Sequence, residues 1–191
     1  MKHCLVLLWC LIVNIPTLAQ TPVWKSYTID QRLTVQFPVA PQELDVPQKV
    51  VANKSPNKYK SQILASRAFR ADDVVATYTL VSIPLTDTSY FSQLKPVREA
   101  YIKSRGISLM MAQMHAELLE QTVSIQPGLD SFTVKFRVLT GDGSPSVKYV
   151  RVLTMKRRIY QLFFIPKDKT GKIGTEQRVQ FFNATIRAPS K

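Results

Sequence analysis

Residues 129–139 read Leu129-Asp130-Ser131-Phe132-Thr133-Val134-Lys135-Phe136-Arg137-Val138-Leu139. Phe132, Val134, Phe136 and Val138 alternate with Ser131, Thr133, Lys135 and Arg137. A period of two sends the first set to one face of a strand and the second to the other. The apolar set is expected in a core and the polar set outside it.

The neighbouring stretches follow the same rule. Glu120–Ile125 precedes this strand. Val147–Met155 and Ile159–Ile165 follow it, joined around Lys156-Arg157-Arg158, and Gly141-Asp142-Gly143-Ser144-Pro145 forms the turn before them. Nearer the N-terminus, Trp24–Ile29 and Leu33–Phe37 flank a turn at Asp30-Gln31. Pro38, Pro41 and Pro47 then impose an irregular crossing, because proline cannot donate to a ladder. Lys49–Ala52 is read as a short edge strand and Asn53–Asn57 as a turn. Tyr59–Phe69 and Val74–Ile83 form a hairpin around Arg70–Asp73; Val75, Thr77, Tyr78, Thr79 and Val81 suit a pleated surface.

Two helices interrupt this pattern. Thr86, Asp87, Thr88 and Ser89 are capping residue types, and Leu94, Val97, Tyr101 and Ile102 make a stripe at helical spacing up to a stop at Gly106. Leu109–Leu118 extends or restarts that helix. A loop from Pro166 to Gly174 leads to a second helix, Thr175–Asn183. Strands joined by short turns give an α+β fold: an antiparallel β-sheet flanked by helices.

Residues 1–19 read as a secretory signal peptide. Lys2 and His3 begin it, Cys4–Val13 is unbroken apolar sequence, and Thr17-Leu18-Ala19 supplies small residues for cleavage. A spanning helix needs roughly 20 apolar residues, and this run has about half of that. No transmembrane segment is expected after cleavage. Residues 20–191 then form a single domain from which both cysteines have gone. Disulfides, thiolate catalysis and cysteine-bound zinc are thereby excluded from the mature chain.

The element order, with particular residues, resembles the PsbP-like family. Those residues are Leu33-Thr34-Val35-Gln36-Phe37-Pro38 with Pro41, Val75–Ile83 leading to the long helix, and Ser124-Ile125-Gln126-Pro127-Gly128 before the Leu129 strand. Arg158-Ile159-Tyr160-Gln161-Leu162 and Phe181-Phe182-Asn183-Ala184-Thr185-Ile186 complete the set. The resemblance implies an α/β/α sandwich, as in the Ran-binding Mog proteins, and a non-catalytic binding or assembly role. The leader peptide points away from a nuclear role and towards exported bacterial proteins of this fold class.

Groups that could carry chemistry are few. His115, with Glu117 nearby, is read as a surface residue at a helix end. Asp72-Asp73, with Asp30 or Asp87, could hold a hard cation but reads as a solvated turn. Gly141-Asp142-Gly143 is a hairpin turn lacking the flanks of a calcium or phosphate loop. Ser131 and Ser144 lack a nucleophile-elbow frame. Asn183-Ala184-Thr185 fits a glycosylation sequon, and Tyr160, Phe163 and Phe164 belong to a core. No catalytic residue, metal ligand or cofactor is expected.

Charge is the informative feature. The chain carries 26 basic and 13 acidic residues, a net +13. Lys148, Arg151, Lys156, Arg157, Arg158, Lys167, Lys169 and Lys172 crowd one region against Asp168 alone, and Lys135 and Arg137 point outward from the strand before it. Folded together, these ten would form a cationic patch that attracts acidic partners. The sequence therefore predicts an exported, non-catalytic binding or assembly module. Its partner would be an acidic envelope component (protein, lipid headgroup or glycan) rather than nucleic acid. The alternative is an exported hydrolase using carboxylates or a Ser-Lys pair.

Overall fold

The structure is a computed structural model that describes residues 23–46, 66–85, 89–155 and 157–186. The expected leader, the Lys49–Ala52 strand, the Asn53–Asn57 turn, the residues Thr86 to Thr88 and Lys156 lie outside the described residues.

In chain order the strands are β1 (Lys25–Thr28), β2 (Leu33–Phe37), β3 (Gln42–Leu44), β4 (Arg67–Asp72) and β5 (Ala76–Pro84). A helical arm follows. It comprises α1 (Lys95–Tyr101), a π-helical stretch (Ile102–Ile107) and α2 (Ser108–Gln113). Four long strands come next: β6 (Glu117–Gln126), β7 (Leu129–Leu139), β8 (Pro145–Met155) and β9 (Arg158–Pro166). The chain then forms α3 (Thr175–Phe182) and β10 (Thr185–Ile186).

The strands make two antiparallel sheets. The larger has the order β3-β4-β5-β9-β8-β7-β6, and the smaller has β1-β2-β10. Pairing on both sides buries the central strands of the large sheet, so each of its faces must be covered. Leu162, Phe164, Tyr160, Leu153, Tyr78 and Leu80 lie on one face, under α3 and the small sheet. Val150, Val152, Phe132, Val134 and Phe136 lie on the other, under the helical arm. Alternation along β7 therefore buries Phe132, Val134 and Phe136 as the sequence predicts, with Val138 packed at the rim.

Aromatic rings fill the first interface. Phe181 of α3 sits 5.3 Å from Tyr78 and 5.4 Å from Phe37, and Tyr78 meets Phe164 edge-on at 5.5 Å. Such tilted pairs add to area burial. Tyr160 and Phe164 are core residues here, while Phe163 packs on the opposite face.

One carboxylate joins the small sheet to the large one. Asp30 accepts the backbone N–H of Arg32 at 2.8 Å and of Leu33 at 3.1 Å, shaping the β1–β2 turn. Its other oxygen accepts the Tyr160 hydroxyl at 2.6 Å. Burial, reinforced by this bond, pushes the Tyr160 hydroxyl well above its usual range.

The helical arm departs from its expected form. Gly106 does not stop the helix; the chain passes through it in a wide π turn. Ile102 and Ile107, five residues apart, both point inward, which fits a turn closed by i→i+5 bonds. The expected stripe is also rotated. Leu94, Val97 and Tyr101 are exposed, and only Ile102 of the four is buried.

The reason is an ion pair. Arg98 donates from Nε to Asp130 at 2.8 Å and from Nη2 at 3.2 Å. Asp130 is 0% exposed and also accepts the Tyr90 hydroxyl at 2.8 Å. Turning Arg98 inward turns Val97 and Tyr101 outward.

Two further boundaries move. The first strand of the expected Arg70–Asp73 hairpin runs on to Asp72, so the turn falls at Asp73, whose carboxylate accepts the N–H groups of Val75 and Ala76 at 2.7 Å. Gln42–Leu44, expected as irregular chain, is an edge strand that Arg67 secures by a two-pronged bond to Glu43, at 2.7 and 3.0 Å.

Breaking a buried pair from one side strands the other charge. Arg98→Ala is expected to cost about 3–5 kcal/mol. Replacing both charges, as Arg98→Met with Asp130→Leu, should cost clearly less than the single change. Urea unfolding of the two variants checks this; equal losses would refute it.

Candidate functional site

Strand geometry distributes the expected patch over the molecule rather than gathering it. Lys135, Arg137 and Arg151 share the α3-side face of the large sheet, because each lies opposite Tyr149, Val147 or Thr133 in register. Lys148 sits one residue out of phase and points to the other face. Arg157 and Arg158 lie at the β8–β9 turn, whereas Lys167, Lys169 and Lys172 lie in the loop after β9. About 25–30 Å of strand separates those two ends.

Several of these cations have structural work. Arg151 is half-buried and donates to the Phe182 carbonyl at the end of α3, where a positive charge complements the helix dipole. Burial lowers its pKa. Arg158 donates to Ser82 at 2.8 Å and lies 3.7 Å from Asp30. Arg137 pairs with Glu117 at 2.8 Å, Lys135 with Glu120 at 2.5 Å, and Lys169 with Asp142 at 2.7 Å. Lys167 lies 3.4 Å from Asp72. A bulge between Leu118 and Glu120 lets both glutamates of β6 face the cations of β7.

The cations that do converge line a groove of about 380 Å³ between strands β6–β8 and α3. Thr133, Lys135 and Tyr149 form its floor with Glu120 and Thr122 of the edge strand. Lys172, Thr175 and Arg178 form its other wall. The Arg178 guanidinium lies flat over the Tyr149 ring, 4.0 Å from its centre. This contact fixes the plane of the fork and leaves its edges available. Arg178 is the residue that sequence reasoning missed. It lies beyond the charge cluster in the chain, and only the packing of α3 carries it there.

The loop bearing Lys172 is held rigidly. Tyr149 donates its hydroxyl to the Gly171 carbonyl at 2.9 Å. Gly171 has φ 71°, and a Cβ there would lie 2.7 Å from Val147 Cγ1, so only glycine fits. Asp168 accepts the Thr170 hydroxyl at 2.6 Å and the Lys172 N–H at 2.9 Å. The Thr170 contacts, followed by the loop N–H groups, hold the Asp168 carboxyl down to about 2.

The other candidates resolve into structure. His115 is exposed, with φ 48°, and closes α2: its N–H bonds Ala112 while the N–H of Ala116 bonds Met111. That is a Schellman cap. Asp72 pairs with Arg70 at 2.7 Å and Asp73 shapes its own turn. Asp142 accepts from Thr140, Ser144 and Lys169 and organises its hairpin turn. Ser131 stays on β7, and Asn183 is exposed just before β10.

Ser144 and Lys169 do meet, at 2.5 Å. A Ser-Lys hydrolase needs a desolvated, neutral amine beside the hydroxyl. Lys169 is 52% exposed and donates to Asp142, while the Ser144 hydroxyl also donates to Asp142 at 2.7 Å. The contact is a surface hydrogen-bond cluster, and the groove holds Glu120 as its one carboxylate.

No family model matches the chain, and no curated protein matches it. Solved structures do. Among them, the solution structure of cyanobacterial PsbP (CyanoP) from Synechocystis sp. PCC 6803 superposes with a TM-score of 0.56 at 13% identity. The match covers 92% of this chain and 99% of that one. The chain has a PsbP-like α+β fold. Among the described residues no helix is long and apolar enough to cross a membrane.

Asp168 titrates below its ordinary 3.8 in the folded chain. Its contribution is therefore present above about pH 4 and decays as the pH falls through about 2. Carboxyl NMR titration should place Asp168 near 2, and Asp168→Asn should loosen the Lys172 amide at neutral pH. A titration midpoint near 4 would refute the loop geometry.

Proposed function

We propose that this chain is an exported, non-catalytic binding or assembly module that meets an acidic envelope component through the face carrying Lys135, Lys172 and Arg178. The observation behind this reading is the convergence of those three cations on one groove. Arg137 and Lys169 carry the charge outward from its edge, and the net +13 of the chain draws acidic partners over a longer range.

Several further observations support it. The groove is polar, open and lined by groups that bind rather than react. The groups with displaced titration behaviour are held by hydrogen bonds within turns and loops, at Asp168, Asp142 and Asp72, rather than gathered around a cleft. The first nineteen residues have the pattern of a cleaved leader, which puts the domain outside the cytoplasm. An exported domain meets lipid headgroups, acidic glycans and envelope proteins before it meets nucleic acid.

Positive potential acts through salt-screened attraction. The chain without residues 1–19 should be retained on acidic envelope material at low salt and released as salt rises. The combined Lys135→Gln, Lys172→Gln and Arg178→Gln change should lower that retention more than Lys148→Gln with Arg157→Gln, which removes charge elsewhere. Column retention against sodium chloride measures it, and equal losses for the two sets would sink the proposal.

A further inference from the structure

We infer that the groove between β6–β8 and α3 is a binding site for a phosphoryl group, of the phosphate-monoester class, carried on a hydroxylated molecule. This deepens the functional reading above and rests on it.

The first observation is a contrast among the arginines. Arg67, Arg70, Arg98 and Arg137 each meet a carboxylate within 2.8 Å. Arg178 meets none among the described residues, and its guanidinium is instead laid flat on Tyr149. An aromatic face orients a guanidinium without using its N–H groups. The result is a planar fork with its donors unspent, and such a fork matches two oxygens of a phosphoryl group.

The second observation is the charge balance inside the groove. Lys135, Lys172 and Arg178 stand against Glu120, which already shares Lys135. The surplus is two positive charges. Arg178 disfavours the charge on Lys135, as expected for cations held close together. A phosphate monoester carries about −1.5 to −2 at neutral pH and fits that surplus. A single carboxylate carries half of it.

The third observation is pre-organisation. Lys172 stands on a loop whose N–H groups are spent on Asp168 and whose Gly171 is pinned by Tyr149. The cations are thus positioned before anything binds, which lowers the ordering cost of binding. The groove, at about 380 Å³, is in the range of small-molecule pockets and exceeds a bare phosphate. Thr133 offers a hydroxyl partner for the carrier.

The test is an amide NMR titration of the chain without residues 1–19, at low ionic strength. The probes are inorganic phosphate, glucose 6-phosphate, glucuronate, and vesicles of phosphatidylcholine with or without phosphatidic acid. Saturable shifts at Gly171, Lys172 and Arg178 with phosphate and glucose 6-phosphate are expected. Arg178→Gln should weaken them about tenfold, and Arg178→Lys should not restore them. Arg157→Gln, at the far end of the sheet, should leave them unchanged. Preference for glucose 6-phosphate or for phosphatidic acid vesicles, with this same variant dependence, supports the assignment and identifies a sugar or lipid carrier. Glucuronate binding as tightly as glucose 6-phosphate overturns it, as do shifts spread over all cationic surfaces. Salt-sensitive retention without saturable phosphoryl binding overturns this assignment alone. Loss of both overturns the functional reading as well.

Discussion

A carboxylate with no exposed surface has to be met by a cation, and at Asp130 that cation is Arg98. The consequences run through half of the molecule. Arg98 must face the sheet, so α1 cannot present Val97 and Tyr101 to it. Ile102, one turn later, is then the first apolar anchor of the arm, and Ile107 and Met111 complete the contact beyond the π turn. The pair lies where the start of β7 passes under the arm, and Tyr90 closes it from the short helical turn at Ser89–Ser92. A bidentate pair with a third donor satisfies the buried charge and sets the rotation of the arm.

Strands were legible in the sequence where one of their faces is consistently apolar. β2 occupies Leu33–Phe37 as its alternation predicts, and β7, β8 and β9 lie within a few residues of expectation. The PsbP-like resemblance rested on those same strands, and the superposition agrees with it. Misreadings came where a polar interaction outweighed hydropathy. The arm's stripe looked like a helix face because Leu94, Val97 and Tyr101 have helical spacing, yet a single ion pair overrode them. Gly106 looked like a stop because glycine ends many helices, yet here the wide turn needs no left-handed residue and carries on. The role of stopping falls to His115, which no pattern marked. β3 was hidden by the prolines around it, since its pairing depends on Arg67, distant in sequence.

The candidate site was less legible, for a reason that follows from the sheet itself. Counting cations along a segment ignores which face each one takes and what stands across from it. Lys148 and Tyr149 are neighbours in the chain and opposites in space. Glu117 and Glu120 lie well before Lys135 and Arg137, but the hairpin and its bulge bring them into contact. Arg151 looked like surface charge and is instead a ligand for the end of α3. What survives as a cationic groove joins two members of the expected patch to Arg178, whose position depends on how α3 docks on Phe37, Tyr78 and Tyr149.

The wide turn at Ile102–Ile107 has a consequence for how this arm can vary. A π turn holds one residue more than an α-helix needs to cover the same distance, and each residue of an α-helix turns the chain by about 100°. Losing a single residue there would restore regular winding and swing α2 by about that angle, carrying Met111 off the sheet. Changes of side chain along the outer surface of the arm meet no such obstacle. Its length is thus locked by a phase relation, while much of its solvent face is left open to drift.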